Sequence, residues 1–168
     1  MRNESIFRIY SMSRAITAVA IGTLVDAGRL SFDDPVHRYL PAFEDVRVRQ
    51  EGGPDRVPIR LITVRDLLLH TAGLNFRNAE DYRAAEVRSR DRSLDDFVAR
   101  LASLPLYEDP GTRFRYGTGS TVAGAVVEAA AGQPLDEYMR EAVLDPLGMS
   151  DTGFWVPPEK VGRLATPY

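Results

Sequence analysis

Within residues 7–28 the run from Ala15 to Ala27 is apolar almost all the way round, with only Thr17, Gly22, Thr23 and Asp26 breaking it. A helix that is apolar on every face is a buried one, and Gly28 suits the position just past its end. About 20 apolar residues are needed to span a bilayer, so this run, with Gly22 and Asp26 inside it, reads as a central core helix. Further on, Asp34 as N-cap and Pro35 at the first helical position predict a short helix over Val36–Leu40, stopped by Pro41. Val46–Arg49 and Val57–Arg60 alternate apolar with charged or turn residues around Glu51–Asp55, which predicts a small antiparallel hairpin on the surface. Thr63-Val64-Arg65-Asp66 is a capping box for a helix through His70, closed by Gly73.

Residues 75–92 carry many charges without a clear period and read as a loop with some helix. Ser93 caps a helix to about Leu104, with Leu94, Phe97, Val98 and Leu101 inward. A turn at Pro110-Gly111-Thr112 leads to a helix over 121–131, closed by Gly132, and Pro134 opens another over 135–144. Pro157-Pro158 argues against regular structure in the tail, residues 147–168. The expected fold is mainly α with one small β-hairpin, and it offers few strands to cover an all-apolar helix.

Composition narrows the function classes. With 44% hydrophobic and 27% charged residues the chain is an ordinary globular domain. A net charge of -3 gives no reason to expect nucleic acid or an anionic membrane as partner. The absence of cysteine excludes disulfides, thiolate metal sites and cysteine nucleophiles, and two histidines are too few for a histidine-rich zinc site. No metal or cofactor is expected. No charged, apolar, small-residue leader precedes the first helix, which favours the cytoplasm.

The candidate chemistry starts with Ser11-Met12-Ser13-Arg14. Residues 11 and 14 share one helix face, and the N-terminus of a helix suits an attacking oxygen that becomes anionic. Alone, the motif would read as a helix cap. With Leu67–Leu74 (LLLHTAGL), Pro110–Tyr116 (PGTRFRY), Arg29–Leu40 and Pro146–Phe154 in family order, the chain resembles the serine β-lactamase and penicillin-binding-protein superfamily, nearest its class C and esterase-like branch.

The resemblance implies acyl transfer. Ser11 takes the place of the nucleophile, Arg14 that of the family lysine and Tyr116 that of the general base or acid. Thr118 falls where the family often has asparagine, as a substrate-binding residue. The implied fold is the helical lobe of a β-lactamase/transpeptidase-like α/β fold: a central nucleophile helix over 11–28 and a helical lobe over 29–168, within one partial domain. Most of the large antiparallel sheet and its Lys-Thr-Gly or His-x-Gly strand are missing, so a fragment or truncated gene product is expected.

Arginine stays protonated, so Arg14 cannot take a proton as the family lysine does. That leaves open a catalytically impaired chain or a non-catalytic binding module. A small-molecule ester or β-lactam-like amide is the implied substrate. Esterase, β-lactamase, peptidase and acyl transferase are not distinguished. Self-association through the uncovered face of the central helix is also expected.

Other residues take blander readings. His70 is expected to be a packing and turn element and His37 a surface residue. Asp33 and Asp34 are expected to cap, and Trp155 to pack the tail on the lobe. Arg113 and Arg115 are expected to be solvated charges beside a turn.

Overall fold

The computed structural model describes residues 2–89 and 91–166. Arg90 and the last two positions of the tail lie outside them. Six α-helices follow in order among the described residues: α1 Ser13–Asp26, α2 Val64–Leu69, α3 Glu80–Ala84, α4 Leu94–Ala102, α5 Gly119–Ala131 and α6 Leu135–Met139. The described residues form no sheet, only isolated bridges. This is the expected mainly helical lobe.

At its middle lies α5, packed against α1, α2, α4 and α6. Its Val122, Ala123, Ala125, Val126 and Val127 are buried, and small residues let the neighbouring helices approach closely. Gly132, at φ 70°, ends it in the left-handed conformation. Arg29 Nη2 caps its last carbonyls at Ala130 and Ala131, at 2.6 and 2.9 Å.

Helix α1 lies on α5 and on the π-helical turn Arg140–Leu144 that follows α6. Thr17, Ala20, Ile21 and Leu24, spaced three and four apart, are buried. The opposite face is open: Val19 is 50% exposed, and Ala15 is exposed beside it. Helix α1 is therefore one-sided among the described residues rather than buried all round, because nothing packs on that face. Ile21, by contrast, is fully buried.

Several local expectations are corrected. The hairpin reduces to one antiparallel bridge, Val48 with Arg56. Pro58 has no donor to extend it, and Asp109 takes both the Arg56 guanidinium and the Ile59 N–H, at 2.9 Å for the latter. Val48 is buried rather than superficial, since Leu106 pairs on its other side. Asp34 caps a turn, accepting from Ser31 N at 2.7 Å. The helix it was expected to start is a 3-10 turn, Val36–Arg38, with Pro35 in the extended conformation before it.

The capping box forms as expected, but His70 itself, at φ 58°, ends α2. The π-helical turn replaces the second half of the helix expected over 135–144. Pro158 opens a 3-10 helix, Pro158–Arg163, because proline is well suited to a first turn. Trp155 is exposed and does not pin the tail. The tail is held instead by Ile6, whose N–H donates to Arg163 O and whose carbonyl accepts from Ala165 N, both at 2.8 Å.

Candidate active site

Residues 70–75 act as a rail for the segment that carries Tyr116. The N–H groups of Tyr107, Gly111, Arg115 and Thr118 donate to the carbonyls of Gly73, Thr71, His70 and Asn75, at 2.8, 2.8, 2.7 and 3.0 Å. Gly73 and Gly117 permit this approach. A Cβ on Gly73, already at φ 72°, would sit 2.2 Å from Glu108 O, and one on Gly117 would sit 2.5 Å from Asn75 O. Neither position tolerates a side chain without moving backbone. Arg115, and less closely Arg113, pair with Glu108, so the arginines flanking Tyr116 brace the turn instead of standing free.

Ser11 lies in a 3-10 turn, Tyr10–Met12, immediately before α1. Tyr10 precedes it at φ 46°, an uncommon conformation for a bulky residue. The Tyr116 hydroxyl donates to Ser11 Oγ at 2.9 Å, joining residues 105 positions apart. Its phenol is held below the ordinary tyrosine range, first by the hydrogen bond with Ser11 and then by the charges of Arg14 and Arg77.

Arg14 reaches past Ser11. Its guanidinium carbon is 4.4 Å from the Tyr116 ring centroid, and Nη1 donates to Gly117 O at 2.9 Å and to Ser120 Oγ. It therefore holds the tyrosine ring and the turn after it. Thr118 is 7% exposed and precedes α5. Its hydroxyl is buried beside the Tyr82 phenol, and the residue borders a cavity of about 730 Å³ shared with Ser11, Arg14 and Tyr116.

Two neighbours were not expected at the site. The His70 ring lies 4.9 Å from that of Tyr116, and its Nδ1 accepts weakly from Gly117 N at 3.5 Å. Burial, and secondarily the charge of Arg14, push the His70 pKa down. Phe76 stacks on Tyr116 at 5.8 Å. Positive φ at a non-glycine such as His70 leaves no signal in a sequence, and Phe76 lay within the uninformative 75–92 stretch.

The structure thus brings Ser11, Arg14 and Tyr116, the residues that the resemblance singled out, to one cavity. The β-lactamase family profile matches residues 1–168. The chain belongs to the β-lactamase family. Esterase EstB of Burkholderia gladioli is 40% identical over 177 aligned positions, which cover 100% of this chain and 43% of that protein. Protein Rv1367c of Mycobacterium tuberculosis is 37% identical, over 100% of this chain and 44% of its own length. Among solved structures, EstCE1, a hydrolase with promiscuous acyltransferase activity, superposes with a TM-score of 0.87 at 34% identity, over 100% of this chain and 44% of that one.

This β-lactamase-family chain thus spans less than half the length of the relatives it matches, and the part it spans is the helical lobe with the serine-bearing helix. No helix among the described residues is long and apolar enough to cross a membrane.

Proposed function

We propose that this chain carries the nucleophile and proton shuttle of a serine hydrolase that works through a Ser11 acyl-enzyme on an ester or a β-lactam-like amide. The 2.9 Å contact between Tyr116 and Ser11 carries the reading. In its phenolate form, which nearby cations favour, Tyr116 accepts the Ser11 proton while Oγ attacks the substrate carbonyl. The oxygen of the tetrahedral intermediate becomes anionic beside the start of α1, where the Ser11 N–H and the helix dipole favour negative charge. Collapse breaks the bond to the leaving group, which takes the proton from the Tyr116 hydroxyl. Water, or an alcohol or amine acceptor, then attacks acyl-Ser11, and the same phenolate carries the proton back to the serine.

Arg14 supports this route without accepting a proton, by stacking on the ring and fixing Gly117. Thr118, which borders the cavity, is the proposed substrate contact. The alternative, a catalytically impaired binding module, is favoured by arginine standing where a proton-accepting lysine is implied.

The experiment is hydrolysis of a short 4-nitrophenyl ester. Ser11→Ala is expected to abolish turnover, and Tyr116→Phe to slow it by about a hundredfold or more, with losses less than additive in the double variant. An unchanged rate in Tyr116→Phe would remove the proton role from this residue.

A further inference from the structure

The cavity beside Ser11 has a charge opposite to that of the chain. Acidic residues outnumber basic ones overall, 24 to 21, yet the cavity wall holds four arginines, at 14, 77, 88 and 92, and no aspartate or glutamate among the described residues. Two of the four are already engaged. Arg14 bonds Gly117 O and Ser120 Oγ, and Arg92 pairs with Glu86 at 2.7 Å and Asp96 at 3.6 Å. Arg77 and Arg88 have no carboxylate partner among the described residues, so their guanidinium groups are available to a ligand. Both stand where this cavity meets a neighbouring one of about 360 Å³.

The position of Arg77 relative to the reacting serine can be traced. Its guanidinium lies 5.4 Å from the Phe76 ring, and that ring lies 5.8 Å from Tyr116, which bonds Ser11. Phe76 stands between Arg77 and Tyr116, and Val87 and Phe97 add apolar surface to the same cavity. A chain of several carbons running from the reacting carbonyl along this wall would bring its far end to the guanidinium groups. Solvated arginines at a surface are ordinary. A cleft of one sign in a chain of the opposite net sign is not, since it draws anions toward the site and repels cations.

We propose that the Ser11 cavity selects esters or amides whose acyl chain ends, several carbons from the reacting carbonyl, in a carboxylate held by Arg77 and Arg88. The proposal rests on the Ser11 acyl-enzyme reading and adds a substrate class to it. Guanidinium groups suit this role because they stay charged and bind carboxylates in a bidentate fork.

The test compares mono-4-nitrophenyl adipate with 4-nitrophenyl hexanoate, which differ only in a terminal carboxylate against a methyl. The intact protein is expected to favour the adipate in kcat/KM by about tenfold at low salt, with the preference fading as screening grows. The Arg77→Gln/Arg88→Gln variant is expected to bring the ratio to about one, whereas Arg140→Gln, which changes an arginine outside the cavity, leaves it in place. A ratio near one in the wild type, or one that survives the double variant, overturns the proposal.

Titration with the unreactive N-phenyl amides of the same two acids separates this inference from the reading beneath it. Tighter binding of the acidic amide, lost in the double variant, supports the anion site even if Ser11 turns nothing over. Equal binding overturns the anion site, whatever Ser11 does.

Discussion

Replacing Asp66 should unlock the element on which the site is mounted. Asp66 is 3% exposed and is the hub of α2: its carboxylate accepts from both Arg60 guanidinium nitrogens at 2.7 Å, from the hydroxyls of Thr63 and Thr71 at 2.7 and 2.8 Å, and from Thr63 N at 2.9 Å. Asp66→Ala deletes one member of a largely buried ion pair, a change that costs about 3–5 kcal/mol. Arg60 keeps 43% of its side chain exposed and can return to water, so the lower end, about 3 kcal/mol, is expected. That is a large part of the stability of a domain this size.

The same carboxylate sets an acid limit. Hydrogen bonds from Arg60 and Thr63 outweigh the desolvation that would raise its pKa, and hold it at about 2 against 3.8 unperturbed. A folded pKa below the unfolded one contributes stability above about pH 4 and loses it as pH falls from there through about 2. Urea unfolding of wild type and Asp66→Ala at pH 7 and pH 3 checks both points. A difference near 3 kcal/mol at pH 7 that shrinks at pH 3 is expected. A loss under about 1 kcal/mol, or one independent of pH, would refute the reasoning.

Two further outcomes bear on the site. Arg14→Lys is expected to raise ester hydrolysis by about tenfold, because a lysine at that position can accept the serine proton while still reaching Gly117 O; an equal or lower rate in the same assay would show that the stacked guanidinium matters more. His70 is held neutral by burial and by the charge of Arg14, with its pKa below the usual 6.5. Its contribution to stability is therefore complete above that value and lost as pH falls below it, when the unfolded chain takes up the proton first. Melting temperatures from pH 7 to pH 5 should fall less in His70→Gln than in wild type, and equal falls would remove His70 from the account.

What the sequence disclosed was local. The capping box at Thr63–Asp66, the Ser93 cap and the Gly132 stop each rest on interactions within four residues, and all formed. Where partners are distant the pattern failed. The all-apolar run of α1 could not reveal that α5 occupies the middle, nor which face would lie open at Val19. Pairing of Ser11 with Tyr116 was readable only through the family resemblance, since spacing says nothing across 105 positions. Arg14 stood in the right place, but its stacking on Tyr116 depends on a turn held by the 70–75 rail. His70 read as a packing residue, and it does end α2, yet the left-handed turn also sets its ring against the tyrosine.

The central claim is that Ser11, bonded to Tyr116, is the residue that becomes acylated. Incubation with a fluorophosphonate or a penicillin, followed by peptide mapping by mass spectrometry, tests it most directly. The account predicts a single adduct on Ser11, absent in Ser11→Ala and formed about a hundredfold or more slowly in Tyr116→Phe. An adduct on Ser13 or Ser120, or none on Ser11 under conditions that label a related esterase to completion, would contradict it.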